Sequence, residues 1–553
     1  MLDTDYKRGV NRSEATVEEL AAMGRQAASF EQRPRISMLL VVSDADEVWI
    51  KSTVNSVLAQ VYPHVELCVC DNGSERPHIP QLLQDYAASE ERIKVRRLPE
   101  KRSLAEAYEA LVSMASGDFV ALIDQGDEIP PEAAFKVVEF LQYVAADVVY
   151  TDEDHIDVGG ERSDPDFKPY WSPDLLLSTS YTGRLCVIRR SVLETVIGFE
   201  KGIEGSEEHD LILRLSERTD RVYHLPEVLY HRRRLPVPSG RDGNRCSTRA
   251  VEAALARRGE KAVVVPDPVR DSLRVIRRPS KRARVSVVVL APEGVRDLPL
   301  LDQLENSSYP VHQVIVAKVR RETNASDGDV SHQFAARALN LAARRCDGDH
   351  LVFLDGRARI TTPTWLTELL GHVQRRDVGA VGCELLNPDG SLRHGGSFAR
   401  MGLLVGDPDV PFFEDQVPPP LVVGPFNFAA ATAECMMVRR AVFEEAGGFN
   451  DERLPTTFYD LDLSFRLREA GLLNVYTPYA SMFSGDPGAR TLGDLPNEEE
   501  VTYMWKRWWR ELVRLLYYRW SPPYTAYQGV EERTLALLFP AGGTTLHRPP
   551  DRI

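Results

Sequence analysis

Short apolar runs alternate along this chain with longer segments whose apolar positions recur every three or four residues, the signature of strands and helices in turn. Residues 36–42 predict a buried strand, and residues 48–59 predict a helix through Val54, Val57 and Leu58. Residues 66–70 predict a second strand, which runs into Asp71-Asn72-Gly73-Ser74. That is a β-α-β unit. A third strand at 93–98 and a helix at 104–115 lead to residues 119–123, Phe-Val-Ala-Leu-Ile. This run is too short for a helix and is flanked by turn formers, so it predicts a strand buried on both faces. Pro130 and Pro131 open a helix over 132–144, where a first turn tolerates proline. Short strands at 148–150 and 185–189, a helix from Ser191, a helix over 211–216 and a closing strand over 222–231 complete the unit. Ahead of it, Leu20, Met23, Ala27 and Phe30 mark a helical arm lying on this domain. Parallel strands joined by right-handed crossovers end on one side, so the carboxyl ends of the strands form the expected ligand edge.

The polar residues at those ends are the candidate chemistry. Asp124 ends the strand 119–123, and Asp127 follows after Gln125 and Gly126. Two carboxylates there suit a hard cation and its natural partner, a diphosphate, or else a plain Asp-Gly turn. Asp71 is placed at the same edge, to accept a hydrogen bond from a base or ribose or to close an Asx turn. Asp152-Glu153-Asp154 reads either as further acids of the site or as a solvated turn, with the latter favoured. Residues 164–174, with three prolines, Tyr170 and Trp171, read as a long ordered loop over the sheet edge, where substrates are often held. Gly205-Ser206-Glu207-Glu208-His209-Asp210 opens a helix. Ser206 can cap it, and its acids can either complement the dipole or supply a general base. His231 is a metal ligand or a packed edge histidine.

The pattern then restarts. Residues 285–290 repeat the first strand, Gly348-Asp349-His350-Leu351-Val352-Phe353-Leu354-Asp355 matches residues 117–124, and residues 435–440 match 185–190. Gly447-Gly448-Phe449 matches Ile197-Gly198-Phe199, and Tyr459-Asp460-Leu461-Asp462-Leu463 matches 207–211. Ordered matches over so long a stretch predict two copies of one α/β domain. The expected divisions are an arm at 1–33, a first domain at 34–276, a basic linker at 277–284, a second domain at 285–530 and a tail at 531–553. By this alignment Glu208 falls opposite Asp460 and Asp210 opposite Asp462.

Length and charge narrow the picture only a little. The chain has 553 residues, consistent with two to four domains, and a formal charge of −15 that gives no general nucleic-acid footprint. Seven cysteines without paired spacing favour a reduced compartment, with the cytoplasm as the default, and argue against structural zinc. No apolar run approaches the roughly 20 residues needed to cross a bilayer, so a soluble or peripheral protein is expected. Residues 503–520 crowd tryptophans and tyrosines among Lys506, Arg507, Arg510, Arg514 and Arg519. That composition suits either packing on the second domain, the favoured reading, or contact with anionic lipid at the inner face of the plasma membrane.

Taken together, residues 56–63, Asp71-Asn72-Gly73-Ser74, Asp124 to Asp127, Asp152-Glu153-Asp154, Phe167-Lys168-Pro169 and residues 207–211 make the first copy similar to the family 2 glycosyltransferases of the GT-A fold. In the second copy the marks are Phe353-Leu354-Asp355, Gly379-Ala380-Val381-Gly382 and residues 458–463. The whole resembles the tandem form met in bacterial surface-polysaccharide synthesis. The resemblance implies two GT-A-like, Rossmann-like domains with mostly parallel central sheets. It implies transfer of a sugar from a nucleotide-sugar donor to a hydroxyl of a glycan or lipid-linked acceptor, with inversion. Glu208 would be the base with Asp210 beside it, and Asp71 and Asp124 would bind the donor. Asp124, Asp127 and His231 would hold Mn2+ or Mg2+. The pattern departs from the family at Gly126, at Glu109 and at Val41-Val42-Ser43-Asp44. The second copy departs further, with Ala317-Lys318, Gly356-Arg357 and Met482-Phe483-Ser484. Asp355, Asp460 and Asp462 are its counterparts, in a copy expected to be inactive or to bind the acceptor. A second reading makes the chain a binding or scaffold protein on a disabled transferase pair, in a glycan assembly complex.

Overall fold

In the computed structural model of the chain the described residues are 14–196, 203, 205–234, 248–295, 298–319, 321–323, 330–332, 335–390, 392–394, 423–484 and 498–517. The first domain contributes strands β1 (Ile36–Val42), β2 (Val65–Asn72), β3 (Ile93–Leu98), β4 (Phe119–Asp124), β5 (Val148–Ile156), β6 (Arg162–Asp166), β7 (Cys186–Arg189) and β8 (Val222–Arg233). They form one sheet in the order β3-β2-β1-β4-β7-β5-β6, with β8 beside β5. β1 to β4 pair in parallel, while β7 runs antiparallel between β4 and β5. All of β2 and nearly all of β1 are buried, as strands covered by helices on both faces require.

A hairpin of β9 (Ala262–Asp267) and β10 (Ser272–Arg277) follows. The second domain contains β11 (Val285–Pro292), β12 (Gln313–Val319), β13 (Arg321–Thr323), β14 (Val330–His332) and β15 (His350–Asp355). It continues with β16 (Arg359–Ile360), β17 (Val378–Leu386), β18 (Leu392–His394), β19 (Phe426–Asn427), β20 (Cys435–Arg439) and β21 (Leu473–Phe483). Its sheet runs β12-β11-β15-β20-β17-β21-β16. The run from β12 to β21 repeats the order β2-β1-β4-β7-β5-β8, so the internal repeat is a repeat of topology. One detail recurs atom for atom. The Gly117 amide donates to Ser37 Oγ at 2.9 Å and the Gly348 amide to Ser286 Oγ at 3.1 Å. A Cβ on either glycine would lie 2.6 Å from that oxygen, so neither position has room for a side chain.

The amino-terminal arm is a helix, Val17–Ala27, opened by a capping box of Thr16 and Glu19. It lies on the helix Ala133–Tyr143, where Gln26 bonds Glu139 at 2.8 Å and Phe30 stacks on Phe135 at 5.4 Å. Several expectations are corrected. Asp152, Glu153 and Asp154 are not a solvated turn, because they lie buried within β5. Residues 164–174, expected as a long ordered loop over the sheet edge, are only partly loop. They begin in β6 and end at the short helix Pro173–Leu176, whose Asp174 is buried against the second domain. The linker's first residue, Arg277, ends β10 and is buried. The late aromatic segment forms the helix Glu498–Tyr517. Its Trp508 is buried, with the indole donating to Asp462 at 2.8 Å, and Trp509 is 52% exposed. Residues 197–199, 241–247 and 518–553 lie outside the described residues. Among the described residues no helix is long and apolar enough to cross a membrane.

Candidate active site

Strand register alone brings the acids together. Val42 pairs with Asp71 and Val41 with Asp124, so both aspartates leave the sheet at one rim. β7 meets β4 with Phe119 opposite Arg189 and Ala121 opposite Val187, a register that continued to the strand end sets Arg184 against Asp124. The Arg184 guanidinium lies 2.9 Å from Asp124 Oδ2, and it also pairs with Glu208 Oε1. Tyr108, Gly183 and Arg232 complete the nearest walls of this cleft. Two of the expected site carboxylates thus share one cation, with the Asp124 side chain 20% and the Glu208 side chain 29% exposed.

Arg184 owes its place to the residues behind it. Gly183 has φ +70, the left-handed region that favours glycine, and a Cβ there would strike Glu153 and come within 2.8 Å of Lys168 Nζ. Glu153 Oε2 accepts the Arg184 amide at 3.0 Å, and its Oε1 lies 3.3 Å from the buried Lys168 ammonium. Burial alone would raise the Glu153 pKa, but Lys168 and Arg232 hold it down to about 2, so it stays ionised. The Gly183→Ala variant is expected to lose roughly 1–3 kcal/mol of stability and to displace Arg184, which a denaturation midpoint and the donor KM would both register. An unchanged midpoint would show that the turn relaxes freely.

Asp127 takes a more buried place than Asp124. Tyr230 Oη donates to Asp127 Oδ2 at 2.7 Å while accepting the Asp124 amide at 3.0 Å, and the Arg233 amide donates to Asp127 Oδ1 at 2.9 Å. Burial, then the charge of Asp124, pushes the Asp127 pKa up to about 7. Asp124 facing the cleft and Asp127 behind it, three residues apart at the end of one strand, are a donor set that fits a hard divalent cation with phosphate oxygens completing the shell. His231 Nδ1 sits 2.6 Å from Asp154 Oδ1, and Asp154 also pairs with Arg162 at 2.6 Å, so Nε2 is the ring nitrogen that a metal could take. Among the described residues no group of three His, Cys, Asp or Glu side chains is placed to hold a metal.

The other expected site residues divide in the same way. Asp71 Oδ1 accepts the Ser74 amide at 2.9 Å, the Asx turn, while its buried Oδ2 has the Arg97 guanidinium at 3.4 Å and accepts no hydrogen bond among the described residues. Asp210, two residues along the helix Glu207–Leu215 from Glu208, is buried and paired with Arg214 at 2.9 Å. Ser206 makes no capping bond, and Glu207 instead accepts the Gly205 amide at 2.9 Å. His209 is buried with Nε2 2.7 Å from the Leu176 carbonyl, and burial lowers its pKa to about 4. A folded pKa below the ordinary 6.5 means that unfolded chains take up the proton first as pH falls. Stability is therefore full above about pH 6.5 and lost towards pH 4, by on the order of 3 kcal/mol. Urea midpoints at pH 7.5 and 5 should show this fall, and His209→Gln should shrink it. An equal fall in the variant would refute the assignment.

The second domain's counterparts are engaged differently. Asp355 accepts the Arg357 amide at 2.9 Å and two guanidinium bonds from the same residue, at 3.0 and 2.6 Å. Asp460 accepts the backbone amides of Ala433 and Leu461, both at 2.9 Å. Asp462 pairs with Arg466 at 2.8 Å, the same four-residue spacing as Asp210 with Arg214. Opposite Asp355, where the first copy has Arg184, stands Glu434, whose carbonyl accepts the Asp355 amide at 3.1 Å. Arg184, Tyr230, Glu153 and Lys168 were not singled out by sequence reasoning for these roles. The contrast of Arg184 with Glu434 in the aligned copies was the available signal.

Residues 40–197 match the model described as Glycosyl transferase family 2, and residues 262–493 match Glycosyltransferase like family 2. The O-antigen biosynthesis protein RfbC of Myxococcus xanthus is 34% identical over 507 residues, which are 87% of this chain and 40% of that protein. The uncharacterized protein y4gI of Sinorhizobium fredii is 30% identical over 515 residues, 86% of this chain and 56% of that one. The chondroitin synthase of Escherichia coli is 24% identical over 210 residues, 37% of this chain and 30% of that one. The chain spans about half the length of the first two relatives. With a family 2 match in each half, on two sheets of one strand order, the chain belongs to the family 2 glycosyltransferases and carries two GT-A-like domains in tandem.

Proposed function

We propose that the first domain transfers a sugar from a nucleotide-sugar donor to an acceptor hydroxyl, in one displacement with inversion at the anomeric carbon. The observation that carries this reading is the pairing of Asp124 and Glu208 through Arg184 in one cleft. Glu208 accepts the acceptor hydroxyl's proton as that oxygen bonds to the anomeric carbon and the nucleoside diphosphate leaves. Arg184 lies between the base and the leaving-group side, where its charge can turn from the two carboxylates to the diphosphate. Asp124 and Asp127 would hold a divalent cation, Mn2+ or Mg2+, which when bound would offset the charge of the departing diphosphate. Tyr230 fixes Asp127 and the end of β4 in register for that task. Asp71, whose buried Oδ2 has Arg97 beside it but accepts no hydrogen bond among the described residues, would meet the nucleoside at the same rim. Asp210, paired with Arg214, would hold the helix that carries Glu208.

The O-antigen and chondroitin roles named for two relatives support a glycan acceptor in surface-polysaccharide assembly. A lipid-linked form of that acceptor, and work in the cytoplasm or at the membrane's inner face, are part of the same reading. Trp509, exposed beside Arg510, is where the last helix would meet lipid. The second domain is read as a partner to the first rather than a second transferase, because Arg357 saturates Asp355 and backbone amides occupy Asp460. Release of nucleoside diphosphate from a panel of nucleotide sugars, with Mn2+ or Mg2+ and a glycan acceptor, tests the proposal. Turnover of one donor is expected, and no release from any donor would favour the scaffold reading.

A further inference from the structure

Between β6 and β7 the first domain carries a segment, residues 172–184, that begins against the second domain and ends at the cleft. Its start is held from across the seam. The Asn427 side chain donates to Asp174 Oδ2 at 2.7 Å and accepts the Asp174 amide at 3.0 Å, and the Asn427 amide donates to Ser172 Oγ at 2.8 Å. Arg375 pairs with the buried Asp174 carboxylate and, at 2.7 Å, with Asp377. Farther along, the Ser178 carbonyl accepts the Leu273 amide at 2.9 Å. On its inner side the Leu176 carbonyl holds His209 Nε2 at 2.7 Å, and His209 adjoins Glu208 on the same helix. Its far end supplies Ser180, Thr182, Gly183 and Arg184 to the cleft wall.

We propose that the second domain serves the first as a brace, with Asn427 and Arg375 fixing residues 172–184 and, through Leu176 and His209, the position of Glu208. Asn427, Arg375 and Asp174 are then positioning residues for transfer, and the second domain matters to catalysis without binding a donor itself. The buried ends of the chain of contacts favour this. Asp174 and His209 have almost no exposure, so a shift at the seam has no solvent gap in which to dissipate before it reaches the helix of Glu208. The same interface supplies an internal control. Arg274, on the β9–β10 hairpin, pairs with Glu368 at 2.5 Å and stacks over Tyr479 at 4.0 Å, yet lies off the segment leading to the cleft.

This inference rests on the transfer reading above, and the test keeps the two apart. In the full chain, Asn427→Ala and Asp174→Asn should each lower the kcat for transfer about tenfold, the effect of a small misplacement of a catalytic group, while affinity for a nucleoside diphosphate falls less, since Glu153 holds the Arg184 amide independently of the seam. Arg274→Ala, a loss at the same seam, should leave kcat unchanged. Pairing Asp174→Asn with Arg375→Gln should recover part of the loss, since no buried charge is then left alone. Equal losses in the Asn427 and Arg274 variants, or none in either, would overturn the brace. Ser172→Ala removes one hydroxyl and reads the same effect if a harsher variant does not fold. Amide exchange at residues 205–215 gives a readout free of turnover, with faster exchange expected in Asn427→Ala and not in Arg274→Ala, and unchanged exchange counting against the brace. Should wild-type chain transfer nothing, or Glu208→Gln transfer normally, the transfer reading fails while the exchange result still judges the brace.

Discussion

Glu208→Gln is expected to lower kcat for transfer by about 10²- to 10⁴-fold, the usual worth of a general base, with the donor KM changed little. The amide keeps the size of the side chain but cannot take the acceptor's proton, so the loss should fall on the chemical step. Glu208 is open enough to meet an acceptor, its side chain 29% exposed, and it sits on the first turn of a helix whose buried face fixes its neighbours His209 and Asp210. Asp210→Asn provides a contrast. It breaks a buried pair with Arg214, so instability is its expected signature, visible as a lower melting temperature before any change in the pH profile of transfer. A Glu208→Gln chain with full activity would move the base elsewhere.

The second large effect is expected at Asp124. Asp124→Asn should lower kcat/KM for the donor by about a hundredfold or more, since charge stabilisation of a leaving diphosphate is worth several kcal/mol. The variant also leaves Arg184 paired with Glu208 alone of the two site carboxylates, which should tighten that pair and add to the loss. Removing divalent ions with a chelator should reproduce most of the effect in the wild type, and added Mn2+ or Mg2+ should restore it. Transfer that is indifferent to chelation would leave Arg184, with Arg232 on the same cleft, to offset the charge of the diphosphate. Asp355→Asn, in the second domain, should leave the donor kinetics unchanged, because Arg357 already neutralises that carboxylate.

What the sequence disclosed, and what it hid, follows from the range of the interactions. Asp71 and Asp124 were legible because buried parallel strands announce themselves as short apolar runs, and such strands deliver their last residues to one rim. The pairs Asp210–Arg214 and Asp462–Arg466 follow helical spacing and stand within reach of pattern alone. The acids of β5 misled because three carboxylates in a row look like a turn. Each is buried only because a distant residue answers it: His224 for Asp152, Lys168 for Glu153 and His231 for Asp154. Arg184 was hidden because its partner depends on β7 lying antiparallel beside β4, a long-range choice that no local window contains. The seam at Asp174 was hidden for the same reason, as Arg375 and Asn427 belong to the other copy.

Titration of the full chain with a nucleoside diphosphate in the presence of Mn2+, followed by calorimetry, tests the central claim most directly. The expected result is one site per chain, abolished by Asp124→Asn and untouched by Asp355→Asn. A site that survives Asp124→Asn and disappears with Asp355→Asn would place the donor in the second domain and contradict the assignment of the cleft.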